Sequence, residues 1–219
     1  MARSSPSPSA AADASGTRDW WLRTALVLQA PRPVFRALRD DSAQAAADRA
    51  EPVLLVILLA GAVGVLSTST AGRLMDDPDY DGLLVAVWTF IGGSIYGIAA
   101  YWLLGAFLYG ACRWLGSRGS YRRSRHVLAF AAVPVACSII LWPVKIALFG
   151  SDLFHRGGSD AGARGELFAV LEYGFVAWSV ALLAIGVRAV HGWTWPRSAA
   201  AVAIMFALSA AVSYAAASF

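Results

Sequence analysis

Lysine is all but missing from this chain: Lys145 stands alone against seventeen arginines in 219 residues. Charge of any sign is scarce as well, at 15% of residues against 58% hydrophobic, with a mean hydropathy of +0.57. That balance excludes an ordinary soluble domain. There are only two cysteines, Cys112 at the end of one apolar stretch and Cys137 near the middle of another. Such depths argue against the Cα approach of about 6 Å that a disulfide needs, so both are read as small buried packing residues. His126, His155 and His191 are isolated, and no Cys/His spacing resembles a metal site. No glycine-rich phosphate loop precedes a lysine. No paired acids, Ser/His or His/Glu constellation lies within the apolar stretches, as an intramembrane protease requires. Catalytic, cofactor and metal residues are therefore assigned to none, and the chain is read as non-enzymatic. The N-terminus also lacks a signal peptide's apolar core: MARSSPSPSAAADASG is Ser-, Pro- and Ala-rich, which reads as a disordered tail over 1–18.

What the chain has in abundance is long apolar runs. Five are read as transmembrane helices, at residues 52–70, 83–112, 126–149, 167–187 and 198–218. All but the second match a crossing of about 20 residues. The expected fold class is all-α: a polytopic membrane protein with five transmembrane helices over 51–219, preceded by a cytoplasmic arm. The second run is long, since thirty helical residues extend about 45 Å against a hydrocarbon core of about 30 Å. Gly92 and Gly93 in its middle raise the alternative of a hairpin that crosses twice.

Arginine placement decides between these. With a single crossing, fourteen of the eighteen basic residues fall on one side, which leaves Arg73, Arg156 and Arg164 outside with Asp76, Asp77, Asp79 and Asp81. A double crossing would put the loop carrying Arg113, Arg118, Arg122, Arg123 and Arg125 on the side of that acidic loop, and the positive-inside asymmetry would vanish. A single crossing is expected, hence an inside N-terminus and an outside C-terminus. Basic residues interleaved with spans sit against anionic lipid and form no continuous nucleic-acid footprint, so nucleic acid is not expected as a partner. The DDPDYDG loop lacks the register and closing Glu of a calcium-binding EF-hand, so it reads as an acidic turn that reinforces topology.

Residues 19–50 read as an amphipathic, interfacial helical arm. Trp20 and Trp21 flanked by Arg18 and Arg23 make a membrane-interface anchor, because indole rings favour the headgroup level and guanidinium favours anionic lipid. The competing reading packs this apolar face under the bundle. Pro31 and Pro33 break the segment, and Val34, Phe35 and Leu38 recur beyond at helical spacing.

Within the spans, Lys145 and Glu172 are the ionisable residues, each about 6 to 8 Å below the same interface. An intramembrane ion pair is expected between them, either structural or lining an ion path. Pro134 and Pro143 are expected to kink the third span. Small-xxx-small pairs at Ala60/Gly64, Gly93/Gly97 and Ala106/Gly110 permit close helix packing, within the chain or in a homo-oligomer.

The five-span layout, the basic loop GSRGSYRRSRHVLAFAAVP leading into a span with Pro134, and the run WSVALLAIGVRAVHGWTWPRSAA resemble the bacterial branch of the Yip family, the Ypt/Rab-interacting membrane proteins. Trp178, Gly186, Arg188, His191 and Gly192 carry the second part of that resemblance, which extends over residues 20 to 215. Ala, Gly and Arg usage with almost no Lys likewise points to a bacterial host, hence to the cytoplasmic membrane. Eukaryotic members are adaptors in vesicle traffic that engage prenylated small GTPases. Their Asp-Leu-Tyr-Gly-Pro signature is replaced here by Asp48, Arg49, Ala50, Glu51 and Pro52, which argues against carrying GTPase binding over. The resemblance implies a non-enzymatic membrane adaptor or scaffold in membrane organisation or trafficking, with the bilayer and a cytoplasmic protein as partners through the arm and basic loops. Two other classes compete: a small channel or transporter built on Lys145, Glu172 and the kinked third span, and a lipid-handling protein built on Trp20, Trp21 and the basic loops.

Overall fold

The computed structural model describes residues 8–160 and 162–218, whose regular structure is entirely helical, with no strand among them. The arm holds three helices, α1 (Pro8–Leu26), α2 (Pro31–Ala37) and α3 (Ala43–Asp48). The tail read as disordered is thus helical from Pro8, where proline suits the first turn and the alanines that follow favour helix. Residues 1–7 of that tail lie outside the described residues.

After the arm come α4 (Ala50–Leu66), α5 (Gly82–Trp114), α6 (Tyr121–Ala131), α7 (Val133–Cys137), α8 (Leu141–Phe149), α9 (Ala163–His191) and α10 (Trp195–Ala217). Four segments are long and apolar enough to cross a membrane: α5, the composite Val133–Phe154, α9 and α10. The fifth apolar helix, α4, has 17 residues and is shorter than the 52–70 stretch read from sequence. It stops at Leu66 because Thr68 donates its hydroxyl to the Val65 carbonyl at 2.7 Å and accepts from Ala71 N at 3.2 Å, which turns the chain. Seventeen residues rise about 26 Å, a little less than the core thickness of about 30 Å.

Gly92 and Gly93 lie within one unbroken α5, whose N-cap Asp81 accepts from Leu84 N at 2.8 Å. The third span departs from its reading. Residues 121–131 form a separate amphipathic helix, and the membrane-spanning segment starts at Val133 and runs to Phe154. Pro134 cannot donate to the carbonyl four residues back, and regular helix is interrupted at Ala132. A 3-10 turn, Ser138–Ile140, interrupts it again ahead of Pro143.

The arm is part of the core. Trp20, Val27, Val34, Phe35 and Leu38 are buried in one cluster with Val53, Val127, Phe130, Leu182, Val187 and Met205 of the bundle. A second cluster at the other end joins Val63, Val85, Trp142, Phe149, Phe154 and Phe168. Between α4 and α5 the backbones touch. A Cβ on Gly97 would lie 2.4 Å from the Ile57 carbonyl oxygen, and one on Gly61 would lie 2.1 Å from that of Gly93. Gly110, in contrast, faces open space. Its pair with Ala106 shows no such close approach among the described residues.

Two substitutions separate these sites. Gly97→Leu should lower thermal stability in detergent by roughly 1–3 kcal/mol, since the obstacle is backbone that cannot step aside. Gly110→Leu should leave it unchanged. Comparable losses in both variants, read by thermal unfolding of the purified proteins, would refute the α4–α5 contact.

Candidate functional site: a buried arginine beneath a basic cap

Arg49 joins α3 to α4, and its side chain is 0% exposed. A guanidinium taken out of water needs acceptors on each face of its fork. Here Nε donates to His126 Nδ1 at 2.7 Å, Nη1 to the Asp40 carbonyl at 2.9 Å, and Nη2 reaches Asp41 Oδ1 at 3.5 Å. The cation also lies 5.5 Å from the Trp20 ring centroid. Asp41 in turn accepts from Arg122 Nε at 3.0 Å and from the Ser120 hydroxyl, while its carbonyl accepts from Arg122 Nη2. Ser120 is the N-cap of α6, so one carboxylate ties the arm to that helix.

The electrostatics follow from burial. Because His126 Nδ1 accepts from Arg49, the imidazole is neutral with its proton on Nε2. Burial first, then the cations of Arg49 and Arg125, push its pKa down to about 3. Burial likewise lowers that of Arg49, partly countered by Asp41. For Asp41 burial acts to raise the pKa, but the hydrogen bonds from Ser120 and Arg122 outweigh it and hold the carboxyl below its ordinary value.

The basic loop divides in two. Arg122 is spent on Asp41, Arg123 donates to the Arg39 carbonyl at 2.8 Å, and Arg125 lies over Trp102, Tyr121 and Tyr101 at 3.6, 4.7 and 5.2 Å. Gly105 makes room for it, since a Cβ there would sit 2.4 Å from Arg125 Cγ. Arg113 reaches only the Ser117 carbonyl among the described residues, at 3.4 Å, and both Arg113 and Arg118 are exposed. Three of the five arginines therefore hold the cap together and two are presented.

The two tryptophans of the arm also part company. Trp20, expected at the membrane interface, is instead 5% exposed, 5.4 Å from the Phe130 ring, with Arg23 stacked over it at 4.8 Å. Helical spacing turns Trp21 the other way, and it is 37% exposed beside Leu22 and Leu26, with Arg18 also exposed. Cys137, read as a buried packing residue, is exposed, where Cys112 is buried, and it lines an apolar cleft together with Trp21.

At the other end Lys145 Nζ of α8 lies 3.0 Å from Glu172 Oε1 of α9, with side chains 12% and 21% exposed. Lys145 also sits 4.2 Å from the Trp142 ring centroid. Glu172 borders a cavity of about 340 Å³ together with Ser67, Ser138 and Tyr173. The acidic loop does structural tasks: Asp81 caps α5, Asp77 accepts from Asp79 N at 3.0 Å, and Asp76 accepts from Arg156 N at 3.0 Å with His155 at 3.3 Å.

Near the end of α9, Gly186 meets the docked arm and His191 meets the loop after α5. A Cβ on Gly186 would lie 2.8 Å from Phe35 Cε1, so glycine admits that ring. Gly192 ends the helix at φ 68°, a left-handed conformation suited to glycine. His191 Nδ1 is 3.2 Å from the Ser117 hydroxyl. Sequence reasoning missed the Arg49 hub. The signal for it in the sequence was the Asp40–Asp41 pair directly after Arg39.

Among models of protein families, the one described as the Yip1 domain matches residues 25–217. No curated protein and no solved structure gives a match.

The hub makes two predictions about stability. Asp41→Asn should cost about 3 kcal/mol, the low end for breaking a buried pair, since Asp40 and His126 still serve Arg49. On acidification, the unfolded chain protonates His126 near its ordinary 6.5 whereas the folded site resists until about 3. Stability should therefore be full above pH 6.5 and decline as pH falls below it, with Asp41 adding a loss as pH drops through the carboxylate range. His126→Gln, which keeps an acceptor, should flatten that decline in detergent melts taken across the pH series.

Proposed function

Since the chain belongs to the Yip1 domain family and is an integral membrane protein with long apolar helices in contact with lipid, we propose that it acts as a non-enzymatic membrane adaptor or scaffold. The working surface in this reading is the cap formed by α1–α3, the end of α5 with its loop into α6, α6 and the α9–α10 turn, facing the cytoplasm. The observation that carries it is the Arg49 hub, which converts an arm of short helices into a fixed surface continuous with the bundle. Exposed on that surface are Arg18, Arg32, Arg36, Arg113 and Arg118. On the proposed topology α4 is a fifth, short span, held against α5 by backbone contact, with the N-terminus inside and the C-terminus outside. Positive residues gathered at one end favour that sidedness. In a bacterial host the location is the cytoplasmic membrane.

A second reading, a small channel or transporter, draws on a specific feature. The interrupted third span lies beside the Lys145–Glu172 pair and the serine-bearing cavity, and broken helices flank substrate paths in transporters. Against it, both charges are engaged with each other, and the pair also fits a structural tie between α8 and α9.

A photocrosslinker at Arg18 or Arg118 in native membranes should yield a discrete protein adduct, and one at lipid-facing Leu148 should not. Adducts identical at all three positions would overturn the adaptor reading. In liposomes the protein should pass ions no faster than empty vesicles do. A flux that Glu172→Gln abolishes would favour the transporter instead.

A further inference from the structure

Where α2 lies against the end of α9, four guanidinium groups surround one pocket of about 170 Å³: Arg32, Arg36, Arg39 and Arg188, with Gly192 and Trp193 completing the wall. None of the lining residues is acidic, and none of these four arginines forms an ion pair among the described residues. Arg32 and Arg36 are spaced i,i+4 on α2, a like-charge arrangement that is unfavourable without an anion between or beside the pair. Arg39 is held in place, because its Nε and Nη2 donate to the Ala189 carbonyl at 3.1 and 2.6 Å. Arg188 lies 4.8 Å from the Trp195 ring, and its Nε is buried with no hydrogen-bond partner.

We propose that this pocket is a binding site for a phosphoryl anion. Guanidinium forks match phosphate oxygens in bidentate geometry, and several of them converging on one small space define a compact polyoxyanion better than a carboxylate or a flexible chain. The volume agrees with that assignment, being well below the roughly 300–1,000 Å³ of pockets that take drug-sized molecules. Trp193 and Trp195 flank the site, and tryptophan concentrates at the headgroup level of a bilayer. The phosphoryl group therefore belongs either to an anionic lipid headgroup or to free phosphate. The site stands independently of the adaptor reading, since it rests on local charge and geometry alone.

The side chains of Arg32 and Arg36 are exposed and make no hydrogen bond among the described residues, so neutralising them leaves the fold intact. The test compares wild type, the Arg32→Gln/Arg36→Gln pair, and an Arg113→Gln/Arg118→Gln pair that removes the same charge elsewhere on the same end. Purified protein is titrated with inorganic phosphate, read as a rise in melting temperature. It is also examined by native mass spectrometry after reconstitution with phosphatidic acid or phosphatidylcholine. Wild type should bind phosphatidic acid or phosphate, and retain phosphatidic acid over phosphatidylcholine if the source is lipid. The Arg32/Arg36 pair should weaken binding by roughly tenfold or more, the loss expected from one or two charge-assisted hydrogen bonds, with the Arg113/Arg118 pair near wild type. Response to inorganic phosphate assigns a free anion. Retention of phosphatidic acid without such a response assigns a headgroup. No binding by wild type, or equal weakening in both pairs, would overturn the proposal, the latter by reducing it to general surface attraction.

Discussion

A guanidinium taken out of water must recover both its hydrogen bonds and a counter-charge, and meeting that demand for Arg49 organises one whole end of this protein. Its three acceptors come from the Asp40–Asp41 turn and from α6, and the same Asp41 carboxylate is gripped by Arg122 and by the N-cap serine of α6. The arm cannot swing away without stranding a buried cation. Phe35 then drops onto Gly186, Trp20 turns in against Phe130, and Arg39 is brought to the carbonyl of Ala189. The four-arginine pocket beneath α2 exists because the hub brings α2 there.

The membrane half follows different physics. Lipid offers helices no hydrophobic reason to associate, so van der Waals contact between backbones carries more of the load. The α4–α5 interface meets that condition through Gly61, Gly93 and Gly97. The third span is built on the opposite principle, with two prolines, a 3-10 turn and a charged residue tied to its neighbour. One interface is close and regular, the other interrupted and polar. Rigid support for the cap thus lies beside a segment with a less regular backbone.

Several features were legible in the chain because they depend on local chemistry alone. The long apolar runs announce helices, and Gly93 with Gly97 marks a close approach. Other features were misplaced where side-chain hydrogen bonds or missing donors act. Thr68 shortens α4, and Pro134 divides what reads as one run from His126 to Phe149 into an amphipathic helix and a span. Hydropathy averages over such details. The hub was illegible for a different reason: Arg49 and His126 are 77 residues apart, and each alone resembles an ordinary solvated or interfacial residue.

By itself, the sequence determined that this is an all-helical membrane protein, because apolarity is a property of each segment taken singly. It also carried enough local pattern for the Yip family to be discerned. Only the tertiary structure decided which arginines are spent and which are offered. Arg122, Arg123 and Arg125 read identically to Arg113 and Arg118 in one short loop, yet the first three meet Asp41, the Arg39 carbonyl and three aromatic rings. An arginine's role is set by what faces it, and facing partners come from elements distant in sequence.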